Sequence, residues 1–112
     1  MRLIGKHKLE KLKRKNRGNI SLTREIEKLI VDIEINEWEN KAELKATRLD
    51  ADCVHSEGFY FFNLDVDRTM ILVEFEEGEA SVVWVGNHQE YENAFKNNKD
   101  TIKKWLKYNN WI

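Results

Sequence analysis

The sequence predicts an α+β fold, in which an N-terminal helical hairpin packs on a curved antiparallel β-sheet and a C-terminal helix completes the chain. Three observations predict it. Apolar residues recur at helical spacing near the start, short aromatic and β-branched runs fill the middle, and helical spacing returns near the end. With 112 residues and no internal repeat, the chain is expected to form one domain over residues 1–112.

The N-terminal hairpin follows a candidate first strand at residues 2–4. Leu9 and Leu12 lie three apart among lysines, which predicts an amphipathic helix that ends before Gly18. Ser21 is the expected N-cap of a second helix. The apolar stripe of that helix consists of Leu22, Ile26, Leu29, Ile30 and Ile33. A short turn between two helices favours an antiparallel pair.

The sheet is expected to begin after a short helical turn. Asn40 is the expected cap of that turn, with Glu43 in capping-box register three residues later. Beyond Asp52, three strand-like runs are separated by the turn-like segments LDVD and EEGE, a pattern that favours an antiparallel meander. After His88 the chain returns to helix, with an apolar stripe of Ile102, Trp105 and Leu106.

Composition indicates the compartment. The single cysteine, Cys53, excludes an internal disulfide and fits a reducing environment. The first residues, MRLIGKHKLEKLKRKNR, lack the apolar stretch of a signal peptide. No apolar run approaches the roughly 20 residues that span a membrane. We therefore expect a soluble, cytoplasmic domain that does not bind membranes.

Charge is segregated along the chain, although the net charge is −1. Residues 1–17 hold eight basic side chains against Glu10 alone, and residues 96–112 hold five lysines against Asp100. The segment between them carries six basic and eighteen acidic side chains. Basic ends on an acidic body indicate a surface for phosphate or for an acidic partner. The alternative for the first segment is a solvated helix face.

No pattern of metal ligands or phosphate-binding glycines stands out. Cys53 and His55 would share one face of a strand, but their spacing does not recur in zinc sites. The five glycines are scattered, and a Ser-His-Asp system lacks an elbow motif. We expect neither a metal nor a cofactor, and we expect Cys53 to be a buried small hydrophobe.

The strongest chemical candidate follows the last predicted strand, in the stretch VVWVGNHQEYENAF. Gly86 and Asn87 break the apolar run, and His88 and Tyr91 follow three residues apart, on one face of a helical turn. Histidine titrates near neutral pH, so it can accept or donate a proton. The two rings are either acid–base groups at the edge of a sheet or packing residues at a strand-to-helix junction.

Three segments together resemble the HigB family of bacterial toxins, within the RelE/ParE superfamily of type II toxin–antitoxin systems. They are INEWENKAELKA, FYFFNL and VVWVGNHQEYENA, and the likeness covers roughly residues 1–95. Family members close with a strand that leads into Gly-Thr-His-x-x-Tyr-Asp. His88 and Tyr91 match this motif, while Asn87 and Glu92 replace its threonine and aspartate.

The resemblance implies an endoribonuclease that cleaves messenger RNA during translation, in the ribosomal A site. Metal-free RNA cleavage needs a base, an acid and cations that hold the developing phosphorane charge. His88 and Tyr91 match the family's acid–base or positioning groups, and Lys45 matches a basic position that can neutralise phosphate. The implied partners are a HigA-like helix-turn-helix antitoxin and the ribosome, whose RNA the basic N- and C-terminal segments would contact.

One departure from the family keeps other functions open. Many members carry an arginine inside the central strand, at the position of Met70, and here the nearest arginine is Arg68 on the same strand face. The acidic turn with Asp65 and Asp67 is also a poor surface for RNA. The alternatives are a non-enzymatic, ParE-like inhibitor of a replication or topoisomerase target, and a toxin fold kept as a binding or regulatory module.

Overall fold

The computed structural model describes residues 1–112 and contains five helices and five strands. The helices are α1 (Lys6–Lys15), α2 (Ile20–Ile35), α3 (Lys41–Thr47), α4 (His88–Phe95) and α5 (Lys99–Tyr108). The strands are β1 (Arg2–Ile4), β2 (Asp52–His55), β3 (Phe59–Leu64), β4 (Asp67–Glu74) and β5 (Glu79–Asn87). The predicted α+β fold, with a helical hairpin on a curved sheet, is confirmed.

The five strands form one sheet in the order β1-β5-β4-β3-β2. Strands β2 to β5 form the predicted antiparallel meander, whereas β1 pairs in parallel with β5, so the sheet is mixed. Strand β1 is only three residues long, and α1 lies beside β5 beyond it. There, Lys8 Nζ donates a hydrogen bond to the Val82 carbonyl at 3.2 Å.

Helices α1, α2 and α3 cover one face of the sheet and enclose the larger core, which has 17 buried residues. The whole predicted stripe of α2 is buried there. The opposite face, under α4 and α5, holds a second core of nine buried residues. Along β3, Phe62 faces the first core and Phe61 the second. Because both faces are covered, β3 reads as a continuous apolar run instead of an alternating one.

A buried ion cluster joins the first core to one end of the sheet. Arg48 is 5% exposed, and its Nη atoms lie 3.2 Å from Asp32 Oδ2 and 2.7 Å from Asp50 Oδ2. Its guanidinium also lies over the ring of Phe62, 5.7 Å from the centroid. Asp50 Oδ2 in turn accepts a hydrogen bond from the backbone N–H of Asn63 at 2.9 Å. This cluster therefore links α2 and the end of α3 to the end of β3.

Local details of the helices and strands differ from the sequence expectations. The prediction of Ser21 as N-cap is wrong, because α2 begins two residues earlier and the side chain of Asn19 accepts a hydrogen bond from Leu22 N at 3.0 Å. The first predicted strand run is divided into β2 and β3 by a turn that ends at Gly58. This glycine has φ 102°, and a Cβ there would lie 2.7 Å from the Val73 carbonyl oxygen.

Asn40 caps α3 as expected, since its side chain accepts a hydrogen bond from Glu43 N at 3.0 Å. The C-terminal helical region comprises two helices, α4 and α5. Lys96 and Asn97 separate them, with left-handed backbone angles of φ 51° and 48°. None of the helices combines the length and the apolar character needed to span a bilayer.

Candidate active site at one end of the sheet

Strand β5 passes directly into α4, and a glycine and a helix-capping asparagine form the junction. The indole ring of Trp84 packs on Gly86, where a Cβ would lie 2.5 Å from a ring carbon. Asn87 then caps α4, because its side chain accepts a hydrogen bond from Glu90 N at 2.8 Å and the Glu90 carboxylate accepts one from Asn87 N at 2.9 Å. Asparagine and threonine both cap helices well, so the replacement of threonine keeps this function. His88 is thereby fixed as the first residue of α4.

His88 is the exposed member of the predicted pair. Its side chain is 68% accessible, and Nε2 lies 3.8 Å from Glu92 Oε1, one helical turn later. Its ring centroid is 6.5 Å from that of Tyr91. An exposed imidazole at a sheet edge can approach a bound substrate and exchange a proton with it.

Tyr91 is buried, with 3% of its surface exposed. Its ring packs against Phe61 and Phe95, at centroid distances of 5.1 and 5.8 Å. Its hydroxyl donates a hydrogen bond to Asn97 Oδ1 at 3.0 Å. Burial raises the pKa of Tyr91, although the nearby Arg68 guanidinium acts in the opposite direction. The hydroxyl of Tyr91 therefore already has a partner within the protein.

Arg68 is the cation nearest to Tyr91. Its guanidinium lies over the Tyr91 ring, 4.4 Å from the centroid, which is a close cation–π contact. Met70, on the same strand face, is fully buried in the second core. An arginine at position 70 would place an unpaired charge among aromatic side chains, at a large desolvation cost. Arg68 instead borders the open cavity at the start of the strand.

His88 and Arg68 border a common open cavity of about 310 Å³. Its lining consists of Asn63, Asp65, Val66, Asp67, Arg68 and His88. Tyr91 lies beneath Arg68. The structure thus brings three of the four sequence-predicted site residues together.

Asp67 is a member of this cavity whose chemistry the sequence did not reveal. It is 7% exposed, and burial raises the pKa of its carboxyl, assisted by the negative charges of Glu90 and Asp65. A carboxyl that holds its proton more tightly than usual is a candidate proton donor. The sequence shows Asp67 only as part of an acidic turn. Its burial comes from its position opposite Asn87 at the start of β4.

Lys45, the fourth predicted residue, lies apart from the others. It is exposed on α3, and its Nζ donates a hydrogen bond to the Ala51 carbonyl at 2.9 Å, just before β2. Strand β2, which follows Ala51, is separated from the Arg68 strand β4 by β3. It belongs to the same end of the sheet but does not contact His88, Tyr91 or Arg68.

The curved, unclosed sheet with helices on both faces is consistent with a RelE-like fold. The HigB toxin family, described as the RelE-like toxic component of a toxin–antitoxin system, matches residues 22–94, and the chain belongs to this family. The match spans β2 to β5 and includes all four predicted site residues. No curated protein matches the chain as a relative. The protein is therefore a RelE-like toxin, and its family implies an antitoxin as its partner.

Proposed function

We propose that this toxin is a ribosome-dependent endoribonuclease that cleaves messenger RNA without a metal ion, in the cytoplasm. The observation that carries the proposal is the pairing of an exposed imidazole, His88, with a fixed cation, Arg68, on one open cavity. A proton-transfer group beside a positively charged group is the arrangement that phosphodiester cleavage requires.

In the proposed reaction, the 2′-hydroxyl of the RNA attacks the adjacent phosphorus while the bond to the 5′-oxygen breaks. The products are a 2′,3′-cyclic phosphate and a free 5′-hydroxyl. His88 takes the proton of the 2′-hydroxyl, and the buried carboxyl of Asp67 donates a proton to the departing oxygen. Arg68 holds the charge that develops on the phosphorane oxygens, and the Tyr91 ring keeps its guanidinium in place. Lys45 is proposed to bind a phosphate further along the strand.

The basic segments are proposed to bind ribosomal RNA. On and just after α1, the cations Lys11, Arg14, Lys15 and Arg17 are exposed and form no ion pair. Contacts of this kind weaken steeply as the salt concentration rises, because binding releases counterions. The proposed antitoxin is a HigA-like helix-turn-helix protein, and co-expression with it is expected to restore growth.

A second function is favoured by the acidic surroundings of the site. Asp65, Asp67, Glu90 and Glu92 lie around His88, and negative charge repels RNA phosphates. The same fold would then act as a non-enzymatic inhibitor of a replication or topoisomerase target, or as a binding module, with His88 as a surface residue.

The test is inducible expression in a bacterial host, followed by primer extension to map new 5′ ends in translated messages. Wild type, His88→Ala and His7→Ala are compared, with and without a translation inhibitor. His7 is an exposed histidine on α1 and provides the matched control. Loss of a general acid–base group is expected to reduce cleavage by about a hundredfold or more. The new ends should disappear in His88→Ala and with the inhibitor, and persist in His7→Ala.

The other outcomes separate the candidate functions. Growth arrest without new 5′ ends would establish the non-enzymatic inhibitor. Cleavage that is equal in wild type and His88→Ala would remove His88 from the site. The absence of both arrest and cleavage would identify a toxin fold that is kept for binding alone.

A further inference from the structure

The end of strand β3 at the candidate active site extends beyond the edge strand β2. The pair nearest to this end is Asp52 with Phe61, so Asn63 has no strand partner on the β2 side of the sheet. On its other side, Asn63 pairs with Arg68 of β4. Both of these residues line the cavity beside His88. The position of Asn63 therefore affects a wall of the cavity and the strand that carries Arg68.

The side chain of Asp50 takes the place of the missing strand partner. Its Oδ2 atom accepts a hydrogen bond from the backbone N–H of Asn63 at 2.9 Å. The same oxygen lies 2.7 Å from Nη2 of Arg48, whose side chain is 5% exposed and also binds Asp32. A carboxylate that pairs with a buried cation is a fixed acceptor, because its movement would leave that cation without a partner. A buried ion pair thus holds the end of β3.

Asn63 and Arg68 face each other across two neighbouring strands. Directly opposed residues of antiparallel strands have Cβ atoms about 4.5–5.5 Å apart, so a shift of one changes the space that is open to the other. The guanidinium of Arg68 lies over the ring of Tyr91, 4.4 Å from its centroid. The carboxamide of Asn63 is exposed and forms no hydrogen bond within the protein, so it is free to contact a bound substrate.

We propose that Asp50 is a positioning residue of the candidate active site, which acts through Asn63 on the cavity wall and on Arg68. This role rests on the proposed function, because cleavage of RNA is what the positioning serves. Asp50 does not itself line the cavity beside His88. It holds the geometry of groups that do, and a misplacement of about 1 Å can slow a reaction on the order of a hundredfold.

The matched variants Asp50→Ala and Asp32→Ala test this role. Each removes one negative charge and one of the two carboxylates that bind Arg48, and the two side chains are similarly buried, with 22% and 15% exposed. Only Asp50→Ala removes the acceptor of the Asn63 N–H. Single-turnover cleavage of a defined message on purified ribosomes should slow about tenfold in Asp50→Ala at saturating toxin, and less than about twofold in Asp32→Ala.

Two further readouts separate positioning from stability and from binding. The toxin concentration that gives half of the maximal rate should stay within about twofold of wild type in Asp50→Ala, because the cationic side chains that bind RNA remain. Asp50→Asn keeps an oxygen that can accept the hydrogen bond from Asn63 N–H. This conservative variant should therefore restore the rate to within about threefold of wild type. Urea unfolding of the variants shows how much of each remains folded under the assay conditions.

Nuclear magnetic resonance measures the same geometry without RNA. Because the Arg68 guanidinium lies over the Tyr91 ring, its Nε–H resonance carries a ring-current shift that depends on their separation. In Asp50→Ala this resonance should move, and the amide of Asn63 should exchange with solvent about tenfold faster, since it loses its acceptor. In Asp32→Ala, both the resonance and the exchange rate should stay at their wild-type values.

Equal cleavage rates in Asp50→Ala and Asp32→Ala would overturn the positioning role and leave the ion cluster with a stabilising role alone. An Arg68 resonance that does not move in Asp50→Ala would also overturn it, whether or not the wild type cleaves RNA. A wild type that does not cleave RNA would refute the proposed nuclease, and the resonance would still decide whether Asp50 positions Arg68. The two failures are therefore distinguishable.

Discussion

The two faces of the sheet differ in what they bury and in what they hold. The first core is largely aliphatic and lies under three helices. The second core is smaller and rich in aromatic rings, which include Phe59, Phe61, Tyr91 and Phe95. Tyr91 belongs to this core and also contacts the candidate site, because its buried ring lies beneath Arg68. A substitution in the second core is therefore expected to change both stability and the geometry of the candidate site, whereas one in the first core should change stability alone.

The largest expected effect comes from removing a ring of the second core. Phe95 is fully buried and contacts Tyr91, Trp84 and Trp105 at centroid distances of 5.8, 5.0 and 5.3 Å. Phe95→Ala is expected to lower the free energy of unfolding by about 3–5 kcal/mol. It should also reduce cleavage per folded molecule, because Tyr91 loses its support beneath Arg68. Urea unfolding and primer extension measure the two effects.

Leu29→Ala is the matched change in the first core. Leu29 is fully buried on α2, and its truncation is expected to cost about 2–5 kcal/mol. Cleavage per folded molecule should stay at the wild-type level. An equal loss of specific activity in both variants would show that the two faces are not separable.

The ion cluster is the polar exception in the aliphatic core, and its removal has the next largest expected effect. Arg48→Met leaves Asp32 and Asp50 without their buried cation. Breaking a buried ion pair costs up to about 5 kcal/mol, but partial exposure of the two carboxylates lowers the expected loss to about 2 kcal/mol. Lys28→Met removes an exposed cation that also contacts Asp32, at 2.8 Å, and should cost less than about 1 kcal/mol. Similar midpoints of urea unfolding for the two variants would contradict a stabilising role for the buried cluster.

Much of the fold follows from local patterns in the sequence. The stripe of α2 and the cap at Asn40 follow from spacing and side-chain chemistry, so both were predictable. Ser21 and Asn19 are both residue types that cap helices well, so the sequence alone does not choose between them. The structure does, because α2 begins at Ile20, directly after Asn19. The division between β2 and β3 at Gly58 depends on the close approach of Val73, which is remote in sequence.

The candidate site was predictable only in part, because it too depends on contacts between residues that are remote in sequence. His88 stands at a recognisable strand-to-helix junction, and its exposure follows from its place at the start of α4. The contact between Arg68 and Tyr91 and the burial of Met70 arise from helices packing on the sheet, and the raised pKa of Asp67 arises from its burial beside Glu90 and Asp65. No local pattern encodes these tertiary contacts, so they become visible only in the structure.

A smaller effect is expected from the cap that fixes His88. Asn87→Ala removes the capping box of α4 and should lower the free energy of unfolding by about 1 kcal/mol. Cleavage should also fall, because the first turn of α4 carries His88. Asn40→Ala removes a cap of the same kind from α3 on the first face, and Asn87→Thr keeps a capping side chain at the site. Asn40→Ala is the control for stability in urea unfolding. Asn87→Thr is expected to retain wild-type cleavage in primer extension, and reduced cleavage in Asn87→Thr would show that the loss of the cap does not explain the effect of Asn87→Ala.

The smallest expected effect is a change in the pH dependence of stability at Asp67. Because burial raises its pKa in the folded state, the folded protein binds more protons than the unfolded chain once the pH passes the ordinary value of 3.8. Stability is then lost as the pH rises from that value through the raised pKa of the folded state. Asp67→Asn removes this loss of stability. Its thermal unfolding midpoint should therefore exceed that of wild type at pH values above the raised pKa, and should approach that of wild type at pH values below 3.8. Asp65→Asn removes only a neighbouring negative charge and should shift the midpoint in the same direction by less. A wild-type pH profile in Asp67→Asn would contradict a raised pKa, and with it the assignment of Asp67 as the proton donor.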